Sequence, residues 1–163
     1  MPIVYINKKH YIKIAAFVVC ALMFIGICFL ITNGRKNFAA GYATNDEIGK
    51  FSTAVSDIPS RVKFFKRFNI DIKPSSEIKS KITIPEKFNK AYKYYNTLQK
   101  QAGFNLEKYK GLSAERAVYS IKKNGTVTIL IYKGNVIAGH IESGVYGETY
   151  KPLTGLLGNE TNP

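Results

Sequence analysis

The chain has 163 residues, with 24 Lys and Arg against 11 Asp and Glu, a formal net charge of +13, two cysteines, two histidines and no Trp. Carboxylates this few, scattered among lysines, argue against a glycosidase pair, and the histidines and cysteines are too few and too far apart for a zinc set. Both cysteines, Cys20 and Cys28, fall in the first 32 residues, so nothing after them depends on a disulfide or a thiol.

Residues 1–11 read as a short cytoplasmic tail whose Lys8, Lys9 and His10 suit anionic lipid headgroups. From Ile14 to Thr32 there is no charge. As a helix this run is roughly 28 Å long, against a hydrocarbon core of about 30 Å. Lys8, Lys9 and Lys13 precede it and Arg35 and Lys36 follow, as two headgroup layers require. The pattern predicts a transmembrane helix over 12–33, with the N-terminus cytoplasmic and the rest exported. The run exceeds the apolar core of a cleaved signal peptide, and the two cations after it stand where a cleavage site needs small neutral residues.

Five of the 24 cations and none of the 11 acids precede Asn37, so the remainder carries a net +8. That balance favours anionic neighbours. Residues 34–56 read as a linker, partly helical: Thr44-Asn45-Asp46-Glu47 resembles a helix start, with Ile48, Phe51 and Val55 at helical spacing. The domain proper is expected over 57–147. Asp57 or Ser56 caps a helix with Pro59 in its first turn, and Val62, Phe65 and Phe68 share its inner face. Glu77 to Ile84 alternates as a half-buried strand.

Pro85 opens a second helix running to Ala102, with Gly103 just past its end. Phe88, Ala91, Tyr92, Tyr95, Leu98 and Ala102 form its core stripe. Three strands follow, 116–122, 126–132 and 136–142, joined by turns at Lys123-Asn124-Gly125 and Lys133-Gly134-Asn135 that force antiparallel pairing. Residues 148–163 are expected to fray. The fold class is α+β: an N-terminal transmembrane helix, then a small two-layer domain in the order α-β-α-β-β-β with an antiparallel meander and both helices on one face of the sheet.

The stretch from Ser60 to Gly147 resembles a family of single-span proteins of Gram-positive bacteria that carry an exported domain of unknown function. The residues bearing the likeness are Arg61-Val62-Lys63-Phe64-Phe65-Lys66-Arg67-Phe68, Ile82-Thr83-Ile84-Pro85-Glu86-Lys87-Phe88, Tyr92, Tyr95-Asn96, Gln99, Gln101-Ala102-Gly103-Phe104-Asn105-Leu106 and Tyr109-Lys110-Gly111. Val136-Ile137-Ala138-Gly139-His140 resembles a closing strand, with Ala138 and His140 departing from an expected Gly-Gly-Asp. Asn69 stands where a glycine is usual and Ile70 where a Trp is usual. The resemblance implies a membrane-tethered exported module and no activity.

His140 and Glu142 lie two apart on one strand face, with Ser120 and Ser143 the nearest nucleophiles; an exposed edge-strand pair is the simpler reading. No glycine-rich loop leads into a helix, so nucleotide binding is not supported. The sequence therefore points to a membrane-anchored, non-enzymatic envelope module without cofactor or metal. It would bind a protein partner or an anionic wall polymer, with Lys63, Lys66, Lys87, Lys90 and Lys93 as candidate contacts. Two alternatives remain: an accessory subunit of another membrane protein acting through the span, and, more remotely, a hydrolase using His140. No nucleic-acid partner is expected.

Overall fold

A computed structural model describes residues 17–24, 41–122, 125–145 and 149–157. The chain forms two compact units, 1–38 and 39–163. In the first, the described residues form one helix, α1, over 17–24. This corrects the expectation of a transmembrane helix over 12–33. Among the described residues no helix is long and apolar enough to cross a membrane. The remaining positions of that segment lie outside the described residues.

The second unit is α+β with a small sheet. Its elements are β1 (Tyr42–Asn45), β2 (Gly49–Ser52), α2 (Ile58–Lys66), β3 (Ile78–Thr83), α3 (Lys90–Gln101), β4 (Ser113–Ser120), β5 (Thr126–Tyr132), β6 (Asn135–Glu142) and β7 (Lys151–Pro152). Strands β3 to β7 make one antiparallel sheet in sequence order, because each connection returns the chain beside the strand it left. The β5–β6 turn places Lys133 and Gly134 both at positive φ, the geometry of a tight hairpin. Of the other expected turn, Lys123 and Asn124 lie outside the described residues.

The helices do not share a face. Phe64, Phe65 and Phe68, from α2 and the turn after it, pack with Ala117, Tyr119, Val127, Ile129 and Ile131 on one side of the sheet. Tyr92 and Tyr95 of α3 pack with Ala114, Leu130 and Ala138 on the other. The expected two layers are thus three. Strands β5 and β6 are buried on both faces, and a sheet buried on both sides needs a cover on each.

Three boundaries also differ. The stretch expected as a partly helical linker holds the β1–β2 hairpin. Asn45 acts as a turn former: its Oδ1 accepts from the N–H groups of Glu47 and Ile48, and Gly49 takes φ +68. Helix α3 starts at Lys90 rather than Pro85, because Asn89 accepts from Tyr92 N–H and so fixes the first turn. The C-terminal stretch expected to fray pairs as β7 with β6 and buries Leu153 completely. Asn69, standing where a glycine is usual, holds φ +56, a conformation that asparagine tolerates better than most residues.

Candidate functional site

Alternation along each strand divides the charged residues between two environments. On the α2 side, Arg61 is 5% exposed. Its guanidinium donates to Glu77, to the Tyr119 hydroxyl at 2.9 Å and to Glu115 at 3.1 Å. Tyr119 also donates to Glu77. Burial works against the charge on Arg61, yet Tyr119, Glu77 and Glu115 outweigh it and raise its pKa. Burial likewise pushes Glu77 up, and the bond from Tyr119 with the charges of Arg61 and Lys79 brings it below the ordinary carboxylate value. Arg61, Glu77 and Tyr119 are bonded to one another and form a buried structural cluster, in which only the Arg61 Nε lacks a hydrogen-bond partner among the described residues.

The α3 side is open. Between α3 and the sheet lies a cleft of about 460 Å³ lined by Ile82, Tyr92, Tyr94, Tyr95, Arg116 and His140, among others. Tyr94 and Tyr150 stand at its mouth, 59% and 49% exposed. Its floor is face residues of the central strands: Arg116 lies opposite Leu130, and Thr128 opposite His140. Its rim includes Asn89 and Ala91, at the N-terminal end of α3.

A hydrogen-bonded chain crosses the cleft. The Tyr95 hydroxyl lies 2.8 Å from His140 Nδ1, and His140 Nε2 lies 3.0 Å from Glu142. An ionised Glu142 accepts only, so Nε2 carries the proton and Nδ1 accepts from Tyr95. Burial holds the His140 pKa below its ordinary value, Glu142 opposes this and Arg116 adds to it. Burial also pushes the Tyr95 phenol well above its ordinary value. Both imidazole nitrogens are engaged, Nδ1 by Tyr95 and Nε2 by Glu142. His140, expected on an exposed edge, is instead buried, because β7 covers β6 and makes it an interior strand.

Two polar groups in the cleft stand unmatched. Among the described residues no carboxylate lies within ion-pair distance of Arg116. The Thr128 hydroxyl is fully buried and has no hydrogen-bond partner there. No group of three His, Cys, Asp or Glu among the described residues is placed to hold a metal.

The family model described as a domain of unknown function (DUF4830) matches residues 64–141. The chain contains a domain of unknown function. The DUF4830 match takes in Tyr92, Tyr95, Arg116, Thr128 and His140, and stops short of Glu142 and Tyr150. It carries none of the membrane, single-span or Gram-positive expectations. No curated protein and no solved structure matches the chain.

The five lysines singled out in the sequence do not form one patch. Lys63 and Lys66 lie on α2, with Lys66 3.9 Å from Asp71. Lys90 and Lys93 lie in the first turns of α3 and Lys87 in the segment before it, next in sequence to the cleft residues Asn89, Ala91 and Tyr92 but not among those lining the cleft. Sequence reasoning missed Arg116, Thr128 and Tyr150. Arg116 and Thr128 fall on the face expected to be partly polar and solvated, and only the packing of α3 turns that face into a cleft.

Proposed function

We propose that the DUF4830 domain is a non-enzymatic binding module that takes an anionic polymer of the cell envelope along the α3 side of its sheet. The observation that carries this is an aromatic cleft containing a guanidinium with no carboxylate partner among the described residues. Concave, mainly apolar sites with a few convergent polar groups are the usual form of a ligand site. The net +8 after Lys36 adds long-range attraction for a polyanion.

The test is binding of the full chain to poly(glycerol phosphate), oligogalacturonate, neutral dextran and single-stranded RNA across a salt series. The expected result is binding of one anionic envelope-type polymer, little binding of dextran, and a steep loss with salt. Replacing Lys87, Lys90 and Lys93 together by Gln should weaken that binding by about tenfold, at roughly half a kcal/mol per exposed charge contact. Tighter binding of RNA would move the module to nucleic acid, and binding of no polyanion would remove the proposal.

A further inference from the structure

We propose that Arg116 and Thr128 form a subsite for a single carboxylate or phosphate group carried on a sugar ring, with the tyrosines of the cleft holding the ring. This rests on the binding-module reading above and specifies the unit that the cleft takes.

Sheet register brings the two groups together. Arg116 pairs with Leu130 and Thr128 pairs with Val118, so Arg116 and Thr128 are diagonal neighbours on one face of adjacent strands. Diagonal neighbours lie about 7–8 Å apart, within reach of a long side chain. A guanidinium and a hydroxyl can therefore converge on one anionic group, the first through a two-pronged set of donors and the second through one more. Each lacks the partner that a folded interior normally supplies. A half-buried cation without a carboxylate and a fully buried hydroxyl without an acceptor are costly in a free domain. One bound anion answers both. The N-terminal end of α3 at the rim adds potential of the same sign.

Ring geometry selects the body of the ligand. Tyr92 and Tyr95 are inclined at 71°, Tyr95 and Tyr150 at 74°, and His140 and Tyr150 at 48°. Each of these neighbouring pairs is inclined rather than stacked in parallel. Inclined phenols instead offer apolar faces and hydroxyl edges together, which suits a puckered ring with C–H faces and a polar rim.

The test is an NMR titration of the full chain with glucuronate, glucose 6-phosphate, glucose and AMP, using Arg116→Gln, Arg116→Lys and Thr128→Val beside the parent. Glucuronate or glucose 6-phosphate should bind at least tenfold tighter than glucose, and their two arms distinguish carboxylate from phosphate. Arg116→Gln should lower that affinity about 10- to 100-fold, with partial recovery in Arg116→Lys. Thr128→Val should lower it about 3- to 10-fold without lowering thermal stability, an outcome that a purely structural hydroxyl would not produce. Equal binding of glucose and its acids, indifference to Arg116→Gln, or tighter binding of AMP would overturn the subsite. If polyanions bind while none of the small ligands does, the subsite fails and the binding-module reading stands. If neither binds, both fail.

Discussion

The two faces of the central sheet present contrasting arginines. On the α2 face Arg61 is enclosed by Glu77, Glu115 and Tyr119. On the α3 face Arg116 lines a cleft with no carboxylate partner among the described residues. The first arrangement engages both terminal nitrogens of the guanidinium with the fold's own acceptors and leaves little for a ligand. The second leaves a guanidinium beside a space large enough for one. An arginine matched internally secures structure, and an arginine left unmatched beside a cleft marks a place where something else completes it.

The largest effect separating the faces should come from Arg61→Ala. It leaves Glu77 and Tyr119 without their buried partner and should cost about 3–5 kcal/mol in urea unfolding. Ligand binding by the remaining folded protein should be unchanged. If Arg61→Ala were nearly neutral, the buried cluster would not be structural. Next is Leu153→Ala, which tests whether the C-terminal segment belongs to the α2-face core. Leu153 is fully buried there, and its truncation should cost about 3 kcal/mol. A loss below about 1 kcal/mol would mean that the segment is only loosely attached.

Tyr95→Phe acts on the open face. It removes the donor to His140 Nδ1 and should cost about 1–2 kcal/mol, measured by thermal unfolding.

Acid should separate the faces by pH. His140 has a lowered folded pKa, so the unfolded chain binds its proton first. Its contribution is complete above the unfolded value near 6.5 and is lost as pH falls through the folded pKa. The groups facing it are Tyr95, Glu142, Arg116 and Tyr150. Glu77 is also lowered, and its contribution is lost only below its unfolded value of 4.5. Stability measured against pH should thus fall in two limbs, the upper removed by His140→Gln and the lower reduced by Glu77→Gln, with the Asp57 cap also contributing to the lower. An upper limb that persists in His140→Gln would break the assignment. The smallest effect is that of Thr128→Val on the free protein. It replaces an unpartnered hydroxyl by a methyl and should leave stability within about 0.5 kcal/mol of the parent, or raise it.

Local signals were legible where one residue type settles a local geometry. Asp57 accepts from Ser60 N–H at the start of α2, and Gly103 takes φ +85 past the end of α3. The Phe65 and Phe68 spacing placed the inner face of α2, and the turn signals on either side of 126–132 placed β5. Asn45 misled, because an asparagine that accepts from the next two or three N–H groups caps a helix or makes a turn with the same chemistry. In the apolar run from Ile14 to Thr32 composition alone points to a span, whereas among the described residues no helix is long and apolar enough to cross a membrane.

By itself, then, the sequence determined the α+β character, the tight β5–β6 hairpin, the cap of α2 and the basic charge, since each depends on neighbours a few residues apart. Tertiary structure decided which helix covers which face, that Leu153 closes the core, and that His140 is interior. It also decided which arginine is matched. Arg61 finds Glu77, Glu115 and Tyr119 from 16 to 58 positions away. Arg116 gains no such partner among the described residues. Pairing across such separations follows from sheet register and helix placement, and no local pattern of residues encodes it.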